Sequence, residues 1–470
     1  MKGQTMDYDG LDALAMADLV RRGEVAPDHF VKEAKARIAA LNPSLNAVVH
    51  HFPGEASYAT EGVFAGVPLL LKDTGVPLKD MPITSGTRLH KDVVSPADST
   101  LGSRLRTAGF AFLGRTNTPE LALSFTTEGT FHGTARNPWD LTRTPGGSSG
   151  GAAASVAAGI MPMTQCSDGA GSIRVPAAHC GVFGLKPSRL RNPSGPAVAE
   201  GIGGMGTLHA ISRSVRDSAA MLDVTHGADI GDPWGSPPVK GSFLDAVSRP
   251  PRSLKIGMEI TGDADCRAAV EAAAALCEKL GHKVELAEPK YNREAVKRAW
   301  LTVSAVNVAR GTRALAKAKN IADPLALLEP VNAEWVKMGD AVSGTDYLGA
   351  IDALHQSSRA MGRYFSDYDI YLSPTTAEVA PKLGHLSGEG LSVEEFFERF
   401  WSHAPLTAVF NASGCPAMSV PLHWSEAGIP VGVHFGAAFG AEALLFSLAG
   451  QLEAASPWAK RRPNMSEVTA

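Results

Sequence analysis

Two hydroxyls and one amine are the groups of this chain best suited to chemistry. Ser148 lies in Pro145-Gly146-Gly147-Ser148-Ser149-Gly150-Gly151, and Ser172 follows 24 residues later in Gly169-Ala170-Gly171-Ser172-Ile173-Arg174. Upstream, Lys72 stands where the apolar run Leu69-Leu70-Leu71 stops, just before Asp73. A serine hydroxyl is a poor nucleophile until a base takes its proton as attack occurs. Lysine can be that base only when neutral, and desolvation favours the neutral amine because the ammonium loses its hydration. Its reference value near 10.4 must fall to around 7 for an effective base at neutral pH. A Lys-Asp pair in a loop is ordinarily solvated. A lysine at the mouth of a buried strand instead keeps its stem in the core, and Lys72 is expected to be buried there.

Two other readings of the glycine cluster fail on context. A phosphate cradle needs GxxxxGK[ST], or GxGxxG between a strand and a helix, and neither is present. Gly146-Gly147-Ser148-Ser149-Gly150 spells the GxSxG of a nucleophile elbow, but an elbow follows a core strand. Here the approach is Asp140-Leu141-Thr142-Arg143-Thr144-Pro145, polar and ending in proline.

The elements that must position these groups alternate. Helices are expected over Asp12–Arg22 and over Ala26–Ala40, the second ended by Asn42-Pro43. Val67–Leu71 reads as a buried strand, Ser99–Ala108 as a helix, Phe110–Leu113 as a second strand and Gly151–Ala158 as an Ala-rich helix. Thr225–Ser253, rich in Gly, Pro, Asp and Ser, reads as a surface excursion. A strand–helix–strand unit follows (Leu254–Ile260, Ala264–Leu280, His282–Leu286), then helices over Arg293–Lys319 and Tyr347–Tyr364 and a buried strand at Ile370–Pro374. Pro416–Trp424 and Pro430–Phe435 flank a turn and predict a hairpin. Such alternation predicts an α/β layered fold.

The bulk properties set limits. With 470 residues, 44% hydrophobic and 20% charged, the chain is an ordinary globular protein. A net charge of −4 with no run of like charges gives no footprint for nucleic acid. Five scattered cysteines form no CxxC pair, which disfavours a disulfide framework or structural zinc. The start, Met1–Asp9, has no apolar core of a secretory signal, and no later stretch is long and apolar enough to span a bilayer. A cytoplasmic protein without membrane partners is expected.

The chain resembles the amidase signature family. The likeness runs through PGGSSGG (145–151), AAASVAAG (152–159), SDGAGSIRVPAAHCGVFGLKPS (167–188) and the LKD of 71–73, and continues in SRSVRD (212–217) and FNASGCPAMSVP (410–421). The resemblance implies one amidase domain over residues 1–470, an α/β/α sandwich around a central mixed, mostly parallel twisted sheet. Within it, the N-terminal helices fall at about 10–41, the signature core at about 65–220 and the C-terminal part at about 254–460. It implies Ser172 as nucleophile, Ser148 as bridging serine after a cis peptide at Gly147-Ser148, and Lys72 as general base. Backbone amides of Gly169, Ala170, Gly171 and Ser172 would form the oxyanion hole. One departure stands out: Gly169-Ala170 replaces the usual aliphatic or threonine residue and glycine, so Ala170 adds a Cβ where bare backbone is common.

Around this centre, Ser149, Asp168 and Arg174 are expected to support the loop. Phe125, Thr126 and Ser304 are candidates for the substrate wall. The implied activity is hydrolysis of acyl amides, anilides or oligoamides through an acyl-enzyme, with esters and carbamates sharing the same attack geometry. It needs a small-molecule amide and no metal or organic cofactor, and suits a monomer or homodimer. The alternatives are a glutamine-dependent amidotransferase subunit of the transamidosome type, or an ester or carbamate hydrolase.

Overall fold

The computed structural model describes residues 8–52 and 59–468. The first seven residues, on which the reading of the N-terminus rests, lie outside them. Eleven strands form one sheet. Its first half holds β1 (Val48–His51), β2 (Pro68–Lys72) and β3 (Ala111–Thr116). A two-stranded ribbon of β4 (Glu128–Gly129) and β5 (Gly133–Thr134) stands apart. Then come β6 (Met163–Asp168), β7 (Phe183–Lys186), β8 (Thr207–Ser212), β9 (Lys255–Met258) and β10 (Lys283–Leu286). The last are β11 (Ile370–Pro374), β12 (Ala417–Trp424) and β13 (Pro430–Ala437). Across the sheet the order is β1-β3-β2-β6-β8-β7-β12-β13-β11-β9-β10, flanked by helices.

The mixed α/β architecture agrees with the sequence reading, but the sheet is not mostly parallel. Parallel pairing is confined to β3-β2-β6 and to β11-β9-β10. The six other pairings, which join the two blocks and place β1 at one edge, are antiparallel. Helical crossovers generate the parallel blocks. The middle is antiparallel: the β12–β13 hairpin agrees with the reading of its turn residues, and the β6–β8, β8–β7 and β7–β12 pairings are what strand–helix alternation alone does not reveal.

The second helix also departs from expectation: it runs His29–Leu45, straight through Pro43. Proline there forfeits one backbone donor. Asn42, expected to end the helix, instead uses its side chain on the chain beyond it. Its Oδ1 accepts from Ala47 and Val48 N–H at 2.8 Å each, and its Nδ2 donates to the Val48 carbonyl at 2.9 Å. The helix stops at Asn46, in the left-handed region at φ 46°.

Three features of this architecture position the site. Leu69, Leu70 and Leu71 of β2 are fully buried, each such side chain contributing roughly 1.5–3 kcal/mol of transfer free energy. They hold Lys72 at the strand's inner end. Parallel pairing of β2 with β6, Leu70 opposite Thr164 and Leu71 opposite Gln165, brings the C-terminal ends of both strands together. The helix Gly150–Ala157 is buried along its whole length because it is made of small residues. At Gly151 a Cβ would collide with the Ala47 carbonyl and sit 2.5 Å from Asn117 N. The expected excursion carries a short helix, Phe243–Val247, whose Phe243 plugs back into the apolar core.

Candidate active site

Lys72 and Ser148 meet at the ends of β2 and β6, and Ser172 lies in the turn that follows β6. Lys72 Nζ lies 2.7 Å from Ser148 Oγ and donates to Ser167 Oγ at 3.0 Å. The amine has no exposed surface. Burial pushes its pKa down to about 8, opposed in part by Cys166 and the Asp168 carboxylate. A second buried lysine, Lys186, falls further, to about 7, through burial and the nearby Arg174 charge. Geometry separates the two: Lys186 Nζ donates to the Pro187 carbonyl at 2.7 Å and, among the described residues, has no hydrogen bond to a serine. Of these two lysines, Lys72 is the one hydrogen-bonded to serine hydroxyls.

Ser148 follows a cis peptide bond to Gly147, as the resemblance implied. The turn is clamped from several sides. Thr118 Oγ1 donates to the Ser148 carbonyl and Thr127 Oγ1 to the Gly146 carbonyl, both at 2.8 Å. A side chain at Gly147 has no room, since its Cβ would stand 2.5 Å from the Thr126 carbonyl oxygen and 2.6 Å from that of Ser124. Ser149 Oγ donates to the Ser167 carbonyl at 3.3 Å, tying the glycine loop to the end of β6.

Ser172 sits in the turn between β6 and the helix Arg174–Cys180. It is 7% exposed, against 1% for Ser148 and none for Lys72, so it is the most open of the three. Among the described residues no hydrogen bond joins Ser172 to Ser148. The N–H groups of Gly169, Ala170, Gly171 and Ser172 have no hydrogen-bond acceptor among the described residues, whereas the next, Ile173 N–H, donates to Asp168 Oδ2 at 3.1 Å. A row of uncommitted backbone donors beside an open hydroxyl can receive a carbonyl oxygen as it gains charge.

A buried ionic lattice sets the shape of this turn. Arg174 grips Asp168 through Nε and Nη2 at 3.0 Å each, and donates to the Thr407 carbonyl at 2.8 Å and Asn411 Oδ1 at 2.6 Å. Asn411 Nδ2 returns to Asp168 Oδ1 at 2.9 Å. Burial alone would raise the Asp168 pKa, but the Arg174 charge and hydrogen bonds outweigh it and leave it at about 2. Asp168 and Arg174 thus hold the loop, as their positions in the sequence suggested.

Phe125 packs against the loop that carries Ser172. A Cβ on Gly171 would meet its Cζ at 3.2 Å and Thr407 Oγ1 at 2.8 Å. The ring stacks on Phe400 with centroids 4.1 Å apart, in an apolar cluster that also holds Ala170 and Trp300. The extra methyl of Ala170 is absorbed there. Thr126 is buried and bonds Thr144 Oγ1 at 2.7 Å and Glu128 Oε1 at 2.5 Å, which commits its hydroxyl to the wall. Ser304 is a buried residue of helix Arg293–Lys319 and donates to its own Leu301 carbonyl at 3.0 Å; no hydrogen bond links it to the site.

Several contributors escaped sequence reasoning. Ser167 holds the lysine, and Trp300 Nε1 donates to the Gly169 carbonyl at 2.8 Å, fixing the peptide at the start of the Ser172 turn. Arg115, buried in β3, donates to the carbonyls of Lys72 at 3.0 Å and Val76 at 3.1 Å. Ser167 stood within the quoted motif. Trp300 and Arg115 carried no local signal.

Similarity to known proteins supplies the family. The amidase family model matches residues 29–446. The chain is 37% identical to a 6-aminohexanoate-cyclic-dimer hydrolase of Paenarthrobacter ureafaciens, over 97% of this chain and 96% of that protein. A solved structure of 6-aminohexanoate cyclic dimer hydrolase superposes with a TM-score of 0.93 at 35% identity, covering 98% of this chain and all of that one. A bacterial aryl acylamidase of the amidase signature family gives 0.86 at 27% identity, over 98% of both chains. Fold, signature segments and similarity along nearly the whole length lead to one assignment: this chain belongs to the amidase signature family and is a hydrolase of carbon–nitrogen bonds.

Proposed function

We propose that the chain hydrolyses uncharged small-molecule amides, in the class of acyl amides, anilides and oligoamides, through an acyl-enzyme on Ser172. The observation that carries this reading is a fully buried lysine 2.7 Å from the hydroxyl of Ser148. Among the described residues no hydrogen bond ties the Ser172 hydroxyl to Ser148, so it is free to turn. As substrate enters, a rotation about one side-chain bond aligns it, the kind of tightening expected on forming the Michaelis complex. Ser172 Oγ then attacks the carbonyl while its proton passes to Ser148 and that of Ser148 to neutral Lys72. The N–H groups of Gly169, Ala170, Gly171 and Ser172 receive the oxyanion, each such donor being worth roughly 3–4 kcal/mol. Collapse expels the amine, which takes its proton back along the same path, and water repeats the attack on the acyl group.

The substrate class draws on the wall and on the relatives. Phe125, Phe400 and Trp300 line the loop with aromatic carbon, which suits a neutral acyl chain or aryl ring. The similar proteins are named for a cyclic oligoamide and for aryl acylamides. Activated esters and carbamates would use the same attack. This proposal takes the chain as one amidase domain acting in the cytoplasm, as monomer or homodimer.

The test is a panel of p-nitroanilides, aliphatic and cyclic oligoamides, aryl esters, aryl carbamates and glutamine, with intact-mass detection of the acyl-enzyme. Wild type should cleave amides and gain one acyl mass on Ser172, and Ser172→Ala should do neither. Turnover by Ser172→Ala, or glutamine as the only substrate cleaved, would overturn the reading.

A further inference from the structure

We propose that His50, Asp73 and His132 form a binding site for a divalent transition-metal ion of the zinc, cobalt or nickel kind. The three come from separate segments. His50 lies on β1, Asp73 directly follows β2, and His132 sits in the turn of the β4–β5 ribbon. Their donor atoms all lie within 4.8 Å of one another. His132 Nε2 is 3.4 Å from Asp73 Oδ2, and His50 Nε2 is 3.9 Å from Asp73 Oδ1. The two imidazoles meet edge to face, centroids 5.0 Å apart at 90°, so their nitrogens converge without ring stacking.

The decisive detail is His50 Nε2, which is buried and has no hydrogen-bond partner among the described residues. Leaving such an atom unpaired costs roughly 1–3 kcal/mol, a penalty that a ligand would remove. Asp73 is already oriented for the task. Thr84 N–H donates to Oδ1 at 2.9 Å and Gly86 N–H to Oδ2 at 3.3 Å, while the Thr84 hydroxyl also bonds Oδ2. Such outer contacts fix a ligating carboxylate.

Two imidazoles with one carboxylate suit borderline first-row ions rather than calcium or magnesium, which take oxygen. Ligands at about 2.0–2.2 Å from one tetrahedral ion stand about 3.3–3.6 Å apart. The His132–Asp73 separation of 3.4 Å already satisfies that. A small swing of His50, whose side chain is 21% exposed, brings its nitrogen in to the other two ligands. Thr84 Oγ1, 2.8 Å from His132 Nε2, would give up that contact and keep the one to Asp73. The two part-exposed histidines leave room for a water ligand and a path of entry. The bound ion would clamp the ends of β1 and β2 to the ribbon, independently of the reaction proposed above.

The test uses the full, tag-free chain with Co2+ and Zn2+. One equivalent of Co2+ should give visible ligand-field bands that Zn2+ abolishes, and Zn2+ should raise the Tm. His50→Gln and His132→Gln should each weaken Zn2+ binding about tenfold or more and erase the rise in Tm. No stoichiometric binding at micromolar Zn2+, or binding unchanged in both variants, would overturn the site. Should either variant misfold, anomalous scattering from Zn2+-soaked wild-type crystals decides. A peak at bonding distance from both imidazoles and Asp73 is expected, and a peak elsewhere refutes the assignment.

Discussion

Replacing Ser167 by alanine should move the pH dependence of amide hydrolysis towards acid. Lys72 donates to Ser167 Oγ at 3.0 Å whether charged or neutral, but the bond is stronger from the ammonium. Bonds to charged groups are worth about 1.5–3 kcal/mol and neutral ones about 0.5–1.5. Their loss therefore costs the charged form roughly 1 kcal/mol more, where 1.36 kcal/mol corresponds to one pH unit. A lysine is active when deprotonated, so kcat/KM for the wild type should rise with pH through a midpoint near 8 and level off above it. In Ser167→Ala the midpoint should fall by about 0.5–1 in pH. The plateau should be lower, because a weaker base drives the proton transfer less well. The ratio of variant to wild-type kcat/KM is thus larger at pH 6.5 than at pH 9.5, measured with a p-nitroanilide. An unchanged midpoint, or one moved to higher pH, would refute the reasoning.

Other perturbations reach the same framework. Asp168→Asn leaves Arg174 buried without its countercharge and should cost about 3–5 kcal/mol in urea unfolding at pH 7. Because the Asp168 pKa is depressed to about 2, its contribution in the wild type is complete above about pH 4 and fades as pH falls through 2. The difference between the two proteins should narrow across that window. Trp300→Phe removes the donor to the Gly169 carbonyl and should lower kcat/KM about ten- to a hundredfold through misplacement of the loop, with cooperative unfolding retained. Gly147→Ala meets only backbone and should yield little folded protein. Gly169→Ala meets a single side-chain tip, Ile202 Cδ1 at 3.0 Å, and should stay within about 1 kcal/mol of wild type by thermal unfolding.

What could be read from the residues was local. Three leucines before Lys72 foretold its burial, whereas the crowding around Gly147 came only with the structure. The strand–helix–strand unit near residue 254 and the hairpin near 424 were legible from their patterns and turn residues. What was missed depends on distant partners. Asn411 meets Asp168 across 243 residues of chain, and Trp300 meets Gly169 across 131. Nothing near Trp300 distinguishes it from any other helical tryptophan. Strand direction was misjudged because buried strands look alike whichever way they run. Asn42-Pro43 misled for a related reason: the asparagine caps a later turn rather than its own helix.

The measurement that bears most directly on the account compares one acyl group carried on two leaving groups. Acylation by a p-nitroanilide and by the matching p-nitrophenyl ester is followed in single turnovers of wild type and Lys72→Ala. An amine must be protonated to depart and a nitrophenolate need not be. The variant should therefore lose about 100- to 10,000-fold on the anilide and far less on the ester. Equal losses on both would mean that the buried amine does not carry the proton.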